Sequence, residues 1–257
     1  MTAKDFYDKK DGVSLFWLGN DGWVIDLYGT ILATDLDLCL SERVPLPDGF
    51  DFDLLAENLA VMFITHGHGD HFNEETCRRL LKKSGCLFVV PVSCIAVADS
   101  VGIPPERRIA AEPGRPFSVL DLNVRPVRAL HGHYRGSVYS GASMGDCGYV
   151  IEKNGFSLYQ PGDTVLLEEH FDMKGLDLAF FSPTEHNMHI ENSALYLSLL
   201  DPGACIPQHY DSYAVTDENA FWTKGFPDEV YAILPEELKK RFIKPEGQGR
   251  VITLTRR

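Results

Sequence analysis

Within six residues the chain places His66, His68, Asp70 and His71, in the run His66-Gly67-His68-Gly69-Asp70-His71. Imidazole nitrogens and carboxylate oxygens are the ligands of catalytic zinc-type sites, and Gly67 and Gly69 free the backbone to turn around an ion. A strand sends successive side chains to opposite faces, so aiming all four donors at one point requires a loop. The apolar run LAVMFIT immediately before them reads as a buried strand, and a loop leaving such a strand is a usual place for a site. One loop cannot supply a whole catalytic site. The candidate partners are His131 at the end of RPVRAL, Asp163 in the turn QPGDT and His209 after CIPQ; each follows an apolar run. Strand ends gathered on one rim of a packed sheet would bring these distant positions to the first cluster.

In this order the residues resemble the metallo-β-lactamase superfamily, with its H-x-H-x-D-H run, a later His, an Asp in a Gly-Asp-Thr turn and a C-terminal His. LYQPGDT and IPQHYDSY are similar to the L-ascorbate-6-phosphate lactonase-like branch and its metal-dependent hydrolases. The resemblance spans nearly the whole chain. It implies an α/β (α+β) fold, the four-layer αββα sandwich, and two divalent ions per chain. His66, His68 and His131 would hold one ion, Asp70, His71 and His209 the other, and Asp163 would bridge them. LHGHY offers both His131 and His133; His131 is preferred because it directly follows the strand. A ligand set without Cys suits zinc first, and also manganese or iron.

The implied reaction is attack by a metal-activated hydroxide on a lactone, ester or phosphoester in a small metabolite, including an anionic one. Asp70 is the candidate for orienting the water or moving its proton. Asp35, ending TILATD, is expected to bond the outer nitrogen of a ligand histidine. His133, Tyr134, Arg135, His186 and His189 are candidate substrate contacts. Asn20-Asp21 stands where many relatives carry Gly-His or Gly-Gln, while Asp21 and Asp37 read as turn and strand-edge carboxylates.

Two other functions compete. A phosphodiesterase or nuclease of the same fold is disfavoured by the formal net charge of −13, since nucleic-acid affinity comes mainly from Lys and Arg. A di-iron redox protein is disfavoured by His68, which occupies a position where the flavodiiron-like branch has a carboxylate.

The elements that must position these groups follow from patterning. VSLFWLG, GWVIDLYG and TILATD read as strands, as do LFVV, PFSVL, LNVRPVRAL, CGYVIEK, FSLYQ, DLAFF and ACIP. Helices are expected over Asn73 to Lys83, Ser93 to Val101, Thr164 to Met173 and Asn192 to Leu200, with Asn73 and Ser93 as N-caps. Two strand-rich halves, each followed by helices, suggest two sheets packed face to face with helices outside.

At 257 residues, 44% hydrophobic and 24% charged, the chain is expected to form a single domain over residues 1–257 with a sizeable core. The start MTAKDFYDKKDG lacks an apolar stretch, so a cytoplasmic location without a membrane partner is expected. The six cysteines show no C-x-x-C pair and read as reduced thiols. The expected partner is a small-molecule substrate rather than a nucleic acid, with assembly into a homo-oligomer open.

Overall fold

Alternation along the first strand shows how the layers arise. In β1 (Val13–Trp17), Val13, Leu15 and Trp17 point into one apolar cluster, while Phe16 points into another. A strand buried on both faces belongs to a sheet covered on both faces. The structure, a computed structural model, describes residues 6–7, 11–40, 43–139 and 142–254.

Strands β1, β2 (Trp23–Leu27), β3 (Thr30–Thr34), β4 (Val61–Phe63), β5 (Leu87–Pro91) and β6 (Arg108–Ala111), with β15 (Val251–Leu254), form a seven-stranded sheet ordered β15-β1-β2-β3-β4-β5-β6. Strands β7 (Phe117–Val119), β8 (Leu122–Arg128), β11 (Cys147–Lys153), β12 (Phe156–Gln160), β13 (Leu178–Phe181) and β14 (Ala204–Pro207) form the second sheet, ordered β14-β13-β12-β11-β8-β7. A short ribbon pairs β9 (Gly132–His133) with β10 (Ser137–Val138).

The inner faces share one core, in which Trp17, Trp23, Ile25 and Phe63 meet Tyr149, Ile151, Leu158 and Phe180. On the outer face of the first sheet lie α1 (Phe52–Asn58), α2 (Glu74–Lys83) and α3 (Ile95–Val101), packing through residues such as Leu55, Leu80 and Ala98. α4 (His189–Leu200), α6 (Pro227–Ile233) and α7 (Glu236–Lys239) cover the second sheet through Tyr196, Leu197, Val230 and Leu238, while α5 (Ala220–Thr223) lies between α4 and α6 in sequence. This is the expected αββα sandwich.

The sheets switch from antiparallel to parallel pairing where the chemistry lies. β3, β4, β5 and β6 are parallel neighbours, as are β12, β13 and β14. Parallel strands deliver their C-terminal ends to one edge. The loops after β4, β12 and β14 carry His66 to His71, Asp163 and His209.

Three sequence expectations are corrected. The segment Thr164 to Met173 is not a helix: the Val165 amide bonds the Leu130 carbonyl at 3.0 Å, holding the chain against a neighbouring loop, and only Glu168–Asp172 forms a 3-10 turn. Ser93 does not cap α3, because its hydroxyl instead bonds Asp146 Oδ1 at 2.6 Å. α4 begins at His189 rather than Asn192. Asn73 does cap α2, accepting from the Thr76 amide at 2.8 Å, so the loop bearing His71 runs directly into a fixed helix. Among the described residues no helix is long and apolar enough to cross a membrane.

Candidate metal centre

Two buried glutamines brace the strand ends that bear Asp163 and His209. Gln208 Nε2 donates to Gln160 Oε1 at 2.6 Å and Gln160 Nε2 donates to Gln208 Oε1 at 3.0 Å. Trp23 Nε1 of the first sheet donates to Gln208 Oε1 at 3.0 Å, and the Gly162 amide donates to Gln160 Oε1 at 3.2 Å. The pair therefore couples both loops to each other and to the opposite sheet. Gly162, at φ +61°, permits the turn into Asp163; a Cβ there would lie 2.6 Å from the Thr65 side chain.

On this frame the seven ligand candidates converge. His66 Nε2 lies 3.0 Å from His68 Nδ1 and 4.0 Å from Asp163 Oδ2, while His131 Nε2 lies 2.9 Å from the same oxygen. On the other side, His71 Nε2 is 3.2 Å from His209 Nε2 and 3.5 Å from Asp70 Oδ2, and His209 Nε2 is 3.2 Å from Asp163 Oδ1. Asp163 stands between the two sets. Donors sharing an ion through bonds of about 2.0–2.2 Å lie roughly 3 Å apart, so this spacing fits two divalent ions.

The outer nitrogens support the same fit. His71 Nδ1 meets Asp35 Oδ2 at 2.8 Å, and His209 Nδ1 meets the Trp222 carbonyl at 3.2 Å. In the neutral ring that would bind an ion, each outer N–H donates to that oxygen, which leaves the Nε2 lone pair facing the centre. Asp35 is itself fixed by the Thr65 amide at 2.8 Å and the Thr65 hydroxyl at 2.6 Å. Asn20, Asp35 and His209 all have positive φ, and such strain at non-glycine residues persists only where the surroundings impose it.

Electrostatics tie the groups together. Burial pushes His66 well below the usual histidine range, with the charge on His71 adding to the effect. Burial alone would lower His209, yet the charge and hydrogen bond of Asp163, with Asp21, outweigh it and hold the ring up at about 9. Asp163 is pulled far below the usual carboxylate range: burial opposes ionisation, but His209, His186 and His71 overcome it. In Asp70, burial is likewise outweighed by His71 and His209.

Two residues next to the centre carried no such assignment from the sequence. Asn20 Nδ2 donates to Asp70 Oδ2 at 2.8 Å and approaches His209 Nε2 at 3.3 Å. Asp21, read above as a turn carboxylate, is fully buried with Oδ2 4.0 Å from His71 Nδ1, and burial raises its pKa well above the usual range. The available signal was their position directly after β1, at the same rim as the other strand ends. His186, read as a substrate contact, has Nε2 2.8 Å from Asp163 Oδ2.

A cavity of about 380 Å³ opens on the centre, lined by His68, Asp70, His131, Tyr139, Asp163, His186, Phe221 and Trp222. His133, Tyr134, Arg135 and His189 do not line it. They form their own stack, with Tyr134 4.5 Å from the His133 ring and 4.3 Å from the His189 ring, and the Arg135 guanidinium 5.2 Å from the Tyr134 ring centroid.

Residues 50–210 match the family model of the beta-lactamase superfamily domain. The chain belongs to this superfamily. It is 30% identical over 193 residues to a UPF0173 metal-dependent hydrolase of Korarchaeum cryptofilum, covering 72% of this chain and 75% of that one. Among solved structures it resembles Igni18, a metallo hydrolase from Ignicoccus hospitalis KIN4/I, with TM-score 0.72 and 20% identity over 95% of this chain and 99% of that one. An isothiocyanate hydrolase from Delia radicum gut bacteria has the same fold, with TM-score 0.70 and 16% identity over 94% and 99% of the two chains. The fold is that of the metallo-β-lactamases, and the curated relatives it matches are named metal-dependent hydrolases.

Proposed function

We propose that the chain hydrolyses an uncharged ester or lactone of a small, partly apolar molecule at a dinuclear centre. His66, His68 and His131 would hold one ion, Asp70, His71 and His209 the other, with Asp163 shared. When bound, such ions supply Lewis acidity and lower the pKa of water toward neutrality. Zinc suits the donors, as do manganese and iron.

The observation that carries the substrate class is the cavity lining. Tyr139, Phe221 and Trp222 form its wall, and among the described residues the lining contains no Lys or Arg. Tyr139 and Phe221 meet edge to face with ring centroids 6.5 Å apart, directly beside His131 and His186. Recognition of phosphate relies on Arg, Lys or backbone donors at a helix N-terminus, whereas an aromatic wall suits an acyl or aryl group. The reading therefore favours lactones and esters over phosphoesters.

Asp70 has its carboxylate at the cavity floor, and Asn20 fixes one oxygen by hydrogen bonding. With its pKa held low, Asp70 remains an acceptor and can orient a water or take its proton. The neutral arm of Asn20 does this without adding charge.

Purified metal-loaded protein should hydrolyse an aryl ester and an aliphatic lactone in preference to p-nitrophenyl phosphate and bis(p-nitrophenyl) phosphate. Phe221→Ala should raise KM for the aryl ester more than it lowers kcat. Turnover of either phosphate compound with inert esters and lactones would overturn the assignment.

A further inference from the structure

His186 follows β13 and is 2% exposed, although the ligand set proposed above leaves it without a role. Three contacts fix it. Its backbone amide donates to the Phe221 carbonyl at 3.1 Å, Nδ1 meets the Thr184 hydroxyl at 2.8 Å, and Nε2 points at Asp163 Oδ2 from 2.8 Å. The ring lies 4.9 Å from that of His131 and 4.8 Å from that of His209, so it sits among the ligand rings at the wall of the cavity. A donor atom of Asp163, one of His186 and one of His209 all lie within 4.8 Å of one another. The neighbouring Asn187 Nδ2 donates to the other carboxylate oxygen, Asp163 Oδ1, at 2.8 Å.

We propose that His186 is an eighth protein donor, contributing Nε2 to the ion held by Asp163 and His209. Thr184 places a hydroxyl at the outer nitrogen of His186 where Asp35 places a carboxylate at that of His71, and with that hydroxyl accepting the Nδ1–H the Nε2 lone pair turns inward. The two ions then differ. The first has His66, His68, His131 and the shared Asp163, whereas the second has Asp70, His71, His209, Asp163 and His186. Five protein donors exceed the four of a tetrahedral zinc site, so the second position suits an ion that accepts five or six ligands.

The proposal rests on the dinuclear reading, and the test separates the two. Apoprotein is titrated with Co²⁺ while its visible d–d absorption is recorded, for the wild type, His186→Ala and His186→Gln. Thermal melts accompany each titration. The expected result is two equivalents bound by the wild type, with the band of one equivalent altered in energy or intensity in both variants and its affinity lowered at least tenfold. The other equivalent keeps its spectrum. Gln retains an N–H donor toward Asp163, so restoration of the wild-type spectrum and affinity by Gln would reduce His186 to a hydrogen-bonding partner of Asp163 and overturn the proposal. Unchanged spectra in both folded variants would overturn it equally. No Co²⁺ bound by the wild type would instead overturn the dinuclear reading itself.

Discussion

Asp35 Oδ2 lies 2.8 Å from His71 Nδ1, with both side chains fully buried. The contact fixes which nitrogen of His71 faces Asp70, His209 and Asp163. Burial raises the Asp35 pKa, but His71 and Thr65 oppose that rise through charge and hydrogen bonds. Replacing the carboxylate with a neutral amide, Asp35→Asn, should weaken metal binding by about 10- to 100-fold. Metal titration of the two proteins checks this; equal affinity and equal turnover would remove Asp35 from the site.

Gly162 sets the turn that presents Asp163. Gly162→Ala places a Cβ 2.6 Å from the Thr65 side chain at a φ of +61°. The backbone conformation alone costs about 1 kcal/mol, and the clash falls on the residue that anchors Asp35. Expected are a loss of about 1–3 kcal/mol in denaturant unfolding and reduced metal content. A variant with wild-type stability and full metal occupancy would show that the turn tolerates the methyl group.

His170 supplies a pH effect remote from the proposed ligands. It is fully buried, accepts from the Leu167 amide at 3.0 Å and meets Tyr159 Oη at 3.0 Å, and burial lowers its pKa to about 4. A histidine held neutral in the folded state contributes stability at pH values above its unfolded pKa of about 6.5, and loses that contribution as pH falls toward 4. The loss is of order 3 kcal/mol. Unfolding measured at pH 7 and at pH 4.5 should show a smaller drop for His170→Gln than for the wild type. Equal drops would mean that His170 does not contribute to the acid sensitivity.

The site was legible where chemistry is local. Four donors between His66 and His71 are visible without any fold, and Asp163 and His209 stand out because each ends an apolar run. The sandwich was legible for a similar reason, since the buried strand read in LAVMFIT needs cover on both faces. What escaped depends on contacts across long separations. Asn20 reaches Asp70 fifty residues away, and Asp21 is buried where Thr34 of one sheet and Gln160 of the other both donate to its carbonyl. The Thr164 to Met173 segment looked helical, but the Leu130 carbonyl captured the Val165 amide. His133 and His186 are both histidines near ligand positions in sequence, and only tertiary packing sends one into a surface stack and the other to Asp163.

The central claim is the dinuclear centre, and elemental analysis of protein purified without chelator tests it most directly. The expected result is about two transition-metal equivalents per chain, falling in both His68→Ala and Asp163→Ala while the folded state persists. Metal-free wild-type protein that stays metal-free when ions are supplied, or metal content untouched by either substitution, would contradict it.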